Sequence, residues 1–249
     1  MTLDFSPLLL IQVGTPPEAI RTRHGDLPQW FRHALGPLAE TLQVVRVFDG
    51  EVLPAPESIC GAIITGSWDM VTERLPWSEA TAQWIGQAMA IDLPLFGVCY
   101  GHQLMAHALG GHVDYHPDGR EIGTQTIRLL EGAEHDPLLQ AMPPLFPAHL
   151  THMQTIIRLP PGAQALAASS HDPHQIVRYG RNAISTQFHP EFTPEIGAAI
   201  IHLRADVLRN EGRDPDSLLA AVVDAPEPVG LLRRFAVQAL SRQQLETSA

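Results

Sequence analysis

"LPLFGVCYGHQLMAHALGG", residues 93–111, is the stretch that decides the fold. A short apolar run ends at Cys99, and a segment with helical periodicity follows it and ends at the paired glycines Gly110 and Gly111. This pattern predicts a buried strand, a sharp turn and a helix. Because glycines flank the cysteine in a Gly-x-Cys-x-Gly arrangement, the backbone can bend tightly and the space beside the sulfur stays clear, as in a nucleophile elbow.

Similar apolar runs recur in the first half of the chain, at residues 8–14, 42–49 and 61–66. Helix-like stretches lie between them, at residues 28–40 and 76–93. Continuous apolar strands connected by helices are typical of a mostly parallel sheet covered on both faces. We therefore expect an α/β fold with a flavodoxin-like sheet.

The second half of the chain has a different character. Residues 121–129 are polar and β-prone, and residues 174–188 resemble a hairpin, so antiparallel strands are expected here. From Pro194 onward apolar residues fall at helical spacing on one face as far as Val207. We predict a main domain over residues 1–195 and a C-terminal helical extension over residues 196–249 packed on it.

Composition narrows the classes of function. The net charge of −11, with no basic patch, argues against binding to nucleic acid. No segment is long and apolar enough to span a membrane, and the start of the chain reads as a first strand rather than a signal peptide. The two cysteines, Cys60 and Cys99, are far apart in sequence, which favours free thiols in a reducing compartment and a cytoplasmic location.

The thiol of Cys99 has two interpretations. A lone cysteine at the end of a strand is often a small buried apolar residue, and we assign that role to Cys60. The glycines around Cys99 and its position before a helix N-terminus, whose dipole favours a thiolate, support a nucleophile instead. The choice depends on whether the chain also supplies a base.

That base is found in "STQFHPEFTP", residues 185–194. If strand geometry continues through this segment, His189 and Glu191 place their side chains on the same side, and Pro190 prevents a helix from separating them. An imidazole can accept the proton of a thiol and later protonate a leaving amine, while a carboxylate on its other nitrogen fixes the tautomer. The sequence therefore predicts a catalytic triad of Cys99, His189 and Glu191.

Together, "GVCYGHQLMAHALGG" and "FHPEF" resemble the class I (triad) glutamine amidotransferases, the group that includes the amidotransferase domain of GMP synthetase. The resemblance covers about four fifths of the chain, from residue 8 to residue 194. It implies hydrolysis of the glutamine side-chain amide through a γ-glutamyl thioester on Cys99, with release of ammonia. His189 is then the general base and acid, and Glu191 orients it.

Further site residues follow from the elbow and the resemblance. The backbone N–H of Tyr100, directly after the nucleophile, is one expected oxyanion donor, and the resemblance assigns the second to Gly66. Gln103 matches a position that contacts the bound glutamine.

The segment around Thr151 and His152 lies where relatives bind the α-amino and α-carboxylate groups. Met153 and Gln154 depart from the glycine and the acid found there, which puts the identity of the substrate in doubt.

No cofactor and no metal are expected. His149, His152, His171 and His174 have chelate-like spacing, but no cysteine or His-Glu-x-x-His pattern accompanies them. No glycine-rich nucleotide-binding motif is present either.

Three hypotheses about function stay open. The leading one is a stand-alone hydrolase for glutamine or a related γ-glutamyl amide or peptide. The second is the glutaminase subunit of a synthetase, because the stretch after Glu191 is shorter than the roughly 100 residues that a synthetase domain of its own would need. The third is a binding module that kept the fold and lost turnover. A small-molecule substrate is expected in the first two cases, and a homo-oligomer is left open.

Overall fold

The computed structural model describes residues 6–246 of the 249-residue chain. The first five and last three residues, which include the ends of the predicted main domain and helical extension, lie outside the described residues. The helices are α1 (Glu18–His24), α2 (Leu27–Leu35), α3 (Pro76–Ala90), α4 (Tyr100–Ala108), α5 (Pro194–Leu203), α6 (Ala205–Asn210), α7 (Pro215–Ala220) and α8 (Pro226–Glu246). The strands are β1 (Leu8–Gln12), β2 (Leu42–Arg46), β3 (Gly61–Ile64), β4 (Leu95–Val98), β5 (His112–Tyr115), β6 (Glu121–Leu129), β7 (Leu145–His152), β8 (Gln154–Arg158), β9 (Gln164–Ala168), β10 (Ile176–Arg178) and β11 (Ala183–Thr186).

Nine of these strands form one sheet, in the order β2-β1-β3-β4-β11-β10-β9-β6-β7. The strands from β2 to β11 in this order run parallel, and those from β11 to β7 pair antiparallel. Strands β5 and β8 form a separate antiparallel pair. The predicted α/β fold, with a flavodoxin-like parallel part and antiparallel additions from the second half of the chain, is confirmed.

Strand β1 shows why this sheet needs helices on both faces. Its residues are fully buried, and successive side chains point to opposite sides of the sheet. Leu8 and Leu10 belong to a core with α2 and α8, whereas Leu9 and Ile11 belong to a core with α3 and α4. The sheet is therefore the middle of three layers, and its apolar runs have no polar face.

Helix α8 closes one of these layers. Phe235 and its neighbours Leu231 and Leu232 are buried, and the Phe235 ring lies 5.2 Å from that of Phe96 on β4. The last long helix thus shares the core of the sheet and covers it next to α2.

The apolar side chains of the C-terminal helices are not all buried on the single face that the sequence predicts. Ile196 and Ile200 on α5 are buried, but Leu203 is 43% exposed and Val207 is 44% exposed. The reason is a break at Arg204, whose backbone (φ −99°, ψ 7°) ends α5 before α6 begins. Leu203 is the last residue of α5 and Val207 lies beyond the break on α6, so the predicted apolar face extends over only part of this segment.

Within the described chain, no helix combines the length and the apolarity that crossing a bilayer requires.

Candidate active site

The turn after β4 is strained and tightly packed. Cys99 has φ +50° and ψ −98°, an unusual conformation for a residue with a side chain, and its N–H donates to the Thr186 carbonyl at 2.9 Å. A Cβ on Gly97 would lie 2.6 Å from the Gly101 carbonyl oxygen, and one on Gly101 would collide with the Ile64 carbonyl oxygen. Both glycines that frame the cysteine are therefore required by close backbone contacts.

The Cys99 side chain opens onto a cleft of about 560 Å³, counting the space open to solvent. Eight of the nine residues predicted for the site line this cleft: Gly66, Cys99, Tyr100, Gln103, Thr151, His152, Met153 and His189. The ninth, Glu191, lies behind His189 and is 1% exposed. Residues remote in sequence are thus brought together around one cleft.

His189 and Glu191 form a buried pair. His189 Nδ1 lies 2.8 Å from Glu191 Oε1, and the Phe192 ring stacks on the imidazole with centroids 3.9 Å apart. The expectation that strand geometry runs through this segment is wrong, because β11 ends at Thr186, although the His189 N–H still donates to the His149 carbonyl of β7 at 3.0 Å. The two side chains meet on a loop, held by their own hydrogen bond and by the stacked ring.

The electrostatics of His189 favour its protonated form. Burial alone would lower its pKa, but the charge of Glu191 and then that of Cys99 outweigh burial and raise the pKa of His189 from 6.5 to about 10. Nε2 is buried and has no hydrogen-bond partner of normal geometry among the described residues. Since Nδ1 is taken by Glu191, Nε2 is the nitrogen left to serve the sulfur and a bound substrate.

Gly66 lies next to both the Cys99 side chain and the His189 imidazole. A Cβ at this position would lie 3.0 Å from His189 Cε1 and 3.6 Å from the Cβ of Cys99. A side chain here would push on His189 and would be in ordinary contact with Cys99. Tyr100 begins α4 directly after Cys99, and its hydroxyl donates to Ser78 at 2.7 Å.

Gln103 is anchored below the cleft. Its side-chain Nε2 donates to the Gln154 carbonyl at 2.6 Å and to Gln187 Oε1 at 2.9 Å. The amide of Gln154 is itself committed, because its Nε2 donates to Thr72 at 2.6 Å. Gln154 therefore acts as a structural support, and its amide does not point freely at a substrate.

His152 belongs to a second buried network next to the cleft. Its Nδ1 lies 2.9 Å from the Gln154 carbonyl and its Nε2 lies 2.9 Å from Glu121 Oε2, which also accepts from Gln175 at 2.8 Å. With Asp172, His152 and Glu121 bring ligand atoms within 4.8 Å of one another, a grouping that could hold a metal. Both nitrogens of His152 already lie within hydrogen-bond distance of protein oxygen atoms, however, so a metal would have to displace one of these contacts.

Thr151 and Met153 flank that histidine on the cleft wall. The Thr151 carbonyl lies 3.8 Å from Cys99 Sγ, and its buried hydroxyl has no hydrogen-bond partner among the described residues. The sulfur of Met153 lies 3.0 Å from Arg120 Nη2.

Several cleft residues were not predicted from the sequence, and among them are Phe192, Arg120 and Arg204. Phe192 lies inside the quoted "FHPEF" motif, so its position beside His189 could have drawn attention. The two arginines carry no local signal, because one precedes β6 and the other follows α5, and only the fold brings them together.

A strained cysteine at the end of a parallel strand, beside a buried histidine–carboxylate pair, is the kind of arrangement that acyl transfer through a cysteine requires. Comparison with known proteins gives the particular family. Residues 27–204 match the class I glutamine amidotransferase family, and the chain belongs to it. Membership of this family supports hydrolysis or transfer of the glutamine amide.

Individual relatives agree with this assignment. The chain is 34% identical over 143 residues to GMP synthase (glutamine-hydrolysing) of Thermomicrobium roseum, covering 57% of this chain and 25% of the relative. It is 32% identical over 181 residues to the putative glutamine amidotransferase-like protein YfeJ of Salmonella typhimurium. This match covers 70% of this chain and 74% of the relative. The chain thus spans only about a quarter of the GMP synthase that it matches.

A solved structure supports the fold. The crystal structure of a glutamine amidotransferase from Thermotoga maritima superposes with a TM-score of 0.76 at 22% identity, covering 94% of this chain and 98% of that one.

Proposed function

We propose that this protein hydrolyses the γ-amide of glutamine or of a related γ-glutamyl compound through a thioester on Cys99. The observation that carries the proposal is the convergence of Cys99, His189 and Glu191 on one cleft, with the imidazole held between a carboxylate and the strained cysteine. Family membership supports the chemistry but does not identify the amide.

The proposed reaction begins when His189 Nε2 takes the proton of the Cys99 thiol and the sulfur attacks the amide carbon. As the C–S bond forms, the negative charge moves to the carbonyl oxygen, and the backbone N–H groups of Gly66 and Tyr100 are the proposed donors to it. The intermediate collapses, the C–N bond breaks, and His189 Nε2 gives its proton to the leaving nitrogen. Ammonia or an amine departs, and the γ-glutamyl thioester remains.

Hydrolysis of the thioester reverses these roles. His189 takes a proton from a water molecule, the hydroxyl attacks the thioester carbon, and the C–S bond breaks to release the γ-carboxylate and the sulfur. Glu191 contributes by holding Nδ1 at 2.8 Å, so that Nε2 carries or accepts the proton. The raised pKa of His189 favours the donating form before the amine leaves.

The test uses both cysteines of the chain. Cys99→Ala and Cys99→Ser should abolish release of ammonia or glutamate from a panel of γ-glutamyl compounds. Cys60→Ala is the matched control, because Cys60 is also buried and free, and burial raises the pKa of its thiol from 9.0 to about 11. Wild-type activity in Cys99→Ala would end the proposal, as would loss of activity in Cys60→Ala with an unchanged melting temperature.

A second candidate is the glutaminase subunit of a two-subunit synthetase. It is favoured by the 34% identity over 143 residues to the glutamine-hydrolysing GMP synthase of Thermomicrobium roseum, an enzyme whose name couples glutamine hydrolysis to a synthase. A subunit should gain glutaminase rate when its synthetase partner is added, whereas a free hydrolase should not. A binding module that lost turnover is the third alternative, and it predicts no hydrolysis of any compound in the panel.

We also propose a domain division and a cellular location. Residues 1–195 form the amidotransferase-like domain in this account, and residues 196–249 form a helical extension that packs on it. A cytoplasmic location rests on the two free cysteines.

A further inference from the structure

Two arginines lie in the cleft that contains Cys99, and the proposed reaction does not use them. Arg120 directly precedes β6, and Arg204 connects α5 to α6. Both side chains line the cleft. Burial, and after it the positive charge of Arg120, lowers the pKa of Arg204, while Glu211 and Cys99 act in the opposite direction. Arg120, Arg204 and Cys99 thus line the same cleft, and the two arginines are like charges within it.

The charges at this end of the cleft do not balance. Arg120 Nε pairs with Glu211 at 3.3 Å, and its Nη2 faces the Met153 sulfur at 3.0 Å. The Nε of Arg204 is buried and has no hydrogen-bond partner among the described residues. Glu211 can compensate only one of the two positive charges. A buried guanidinium nitrogen without a hydrogen-bond partner is unfavourable, so an anion that accepts from Arg204 Nε would be stabilised at this end of the cleft.

The rest of the cleft wall supplies no carboxylate to Arg204. The side chain of Gln154 is neutral and donates to Thr72 at 2.6 Å. Asp69 also lines the cleft, but it lies on the loop after β3, where it is exposed and accepts from Ser67 at 3.3 Å. The excess of positive charge is local, because the whole chain has a net charge of −11.

We propose that Arg204 and Arg120 form a carboxylate-binding subsite that selects the substrate. The inference rests on the proposed hydrolysis through Cys99, and it adds that the γ-glutamyl substrate presents a carboxylate to this end of the cleft. A guanidinium suits that group because its planar donors match the two oxygens. Arg204 belongs to the connection between the C-terminal helices, which gives this part of the chain a role in recognition.

The carboxylate has two sources in such a substrate, the α-carboxylate of the γ-glutamyl group or a carboxylate on the leaving amine. Two matched pairs of substrates separate them. Glutamine and its α-amide differ only in the first carboxylate, and γ-glutamylglycine and γ-glutamylethylamide differ mainly in the second. The subsite predicts that Arg204→Gln lowers kcat/KM about ten- to a hundredfold for the carboxylate-bearing member of one pair and changes its neutral partner little.

Arg209→Gln is the matched control. Arg209 lies on the adjacent helix α6, where it is exposed and pairs with Asp206 at 2.9 Å. It should leave both pairs of substrates as in the wild type. Arg204→Lys keeps the positive charge but lacks the planar donors of a guanidinium, so it should recover part of the kcat/KM that Arg204→Gln loses. A uniform loss for charged and neutral substrates in Arg204→Gln, or no loss at all, would overturn the subsite.

A binding measurement separates this inference from the proposed hydrolysis. Glutarate, a dicarboxylate that has no amide, can be titrated calorimetrically into the intact protein. It should bind the wild type and Arg209→Gln equally, and Arg204→Gln at least about tenfold more weakly. This result without turnover of any amide would keep the subsite and reject the hydrolase. If glutamine is turned over and Arg204→Gln leaves glutarate binding unchanged, the hydrolase is kept and the subsite is rejected.

A final comparison needs no variant, in case Arg204→Gln does not fold. Glutarate and its neutral diamide can be compared as protectants of Cys99 against iodoacetamide in the wild-type protein. The dicarboxylate should protect at a concentration at least about tenfold lower than the diamide. Equal protection by the two compounds would contradict the subsite.

Discussion

Replacement of Gly66 by alanine tests the geometry of the site without removing any functional group. The added Cβ would lie 3.0 Å from His189 Cε1, where an ordinary contact needs about 3.5–4.0 Å. The imidazole cannot withdraw easily, because Glu191 holds Nδ1 at 2.8 Å and the Phe192 ring stacks on it at 3.9 Å. The collision must therefore displace His189 by several tenths of an ångström relative to Cys99.

The expected result is a selective loss of activity. A misplacement of about 1 Å can cost about 100-fold in rate, so a smaller shift should lower kcat/KM for amide hydrolysis by about 10- to 100-fold. The cost in stability should stay within the roughly 1–3 kcal/mol of an overpacked core position. Steady-state ammonia release and a urea unfolding curve on the same preparation measure the two effects.

Gly86→Ala is the matched control for this variant. Gly86 lies in α3, and a Cβ there would meet no atom within 4 Å. An alanine in a helix interior is about 0.5–1 kcal/mol better than glycine, so this variant should be fully active and slightly more stable. Wild-type activity in Gly66→Ala would refute the argument, because the sulfur and the imidazole would then not need the space that Gly66 leaves between them.

Three other variants probe the site and its support. Glu191→Gln should lower the pKa of His189, because burial then outweighs the remaining attraction, and should reduce kcat for glutamine about 100- to 10,000-fold; unchanged turnover would exclude an orienting role. His102 is buried, and burial lowers its pKa from 6.5 to about 3. As the pH falls below 6.5, His102 therefore takes up a proton in the unfolded chain before it does so in the folded protein, and the folded state loses stability. Between pH 7 and pH 5, the unfolding free energy of His102→Gln should fall by about 2 kcal/mol less than that of the wild type. An equal fall in the variant and the wild type would contradict this. Gly101→Ala drives a Cβ into the Ile64 carbonyl oxygen and should reduce soluble, folded protein sharply, so a normal melting temperature would show that the elbow has room.

The sequence was most informative where the structural requirement is local. The glycines around Cys99 predict a tight turn, and the structure explains each of them by a backbone oxygen that would lie less than 3 Å from an added Cβ. His189 and Glu191 are two residues apart, so their pairing needs only a suitable local backbone. Apolar strands such as β1 predict burial on both faces because no polar alternation interrupts them.

Predictions failed where the outcome depends on tertiary packing. The apolar spacing after Pro194 does not reveal that the helix breaks at Arg204 and exposes Val207. The position of Arg204 beside Arg120 is likewise a result of packing, because no motif connects a residue before β6 with one after α5. Charge balance inside a cleft can be assessed only when the neighbours of each charged group are known.

The central claim is that Cys99 is the reactive thiol of a cleft that recognises a γ-glutamyl group. The most direct test treats the wild-type protein with a diazo-ketone analogue of glutamine and locates the product by peptide mass spectrometry. The account predicts one adduct, on the peptide containing Cys99, and none on the peptide containing the buried Cys60. An unmodified Cys99, or modification of both cysteines at the same rate, would contradict it.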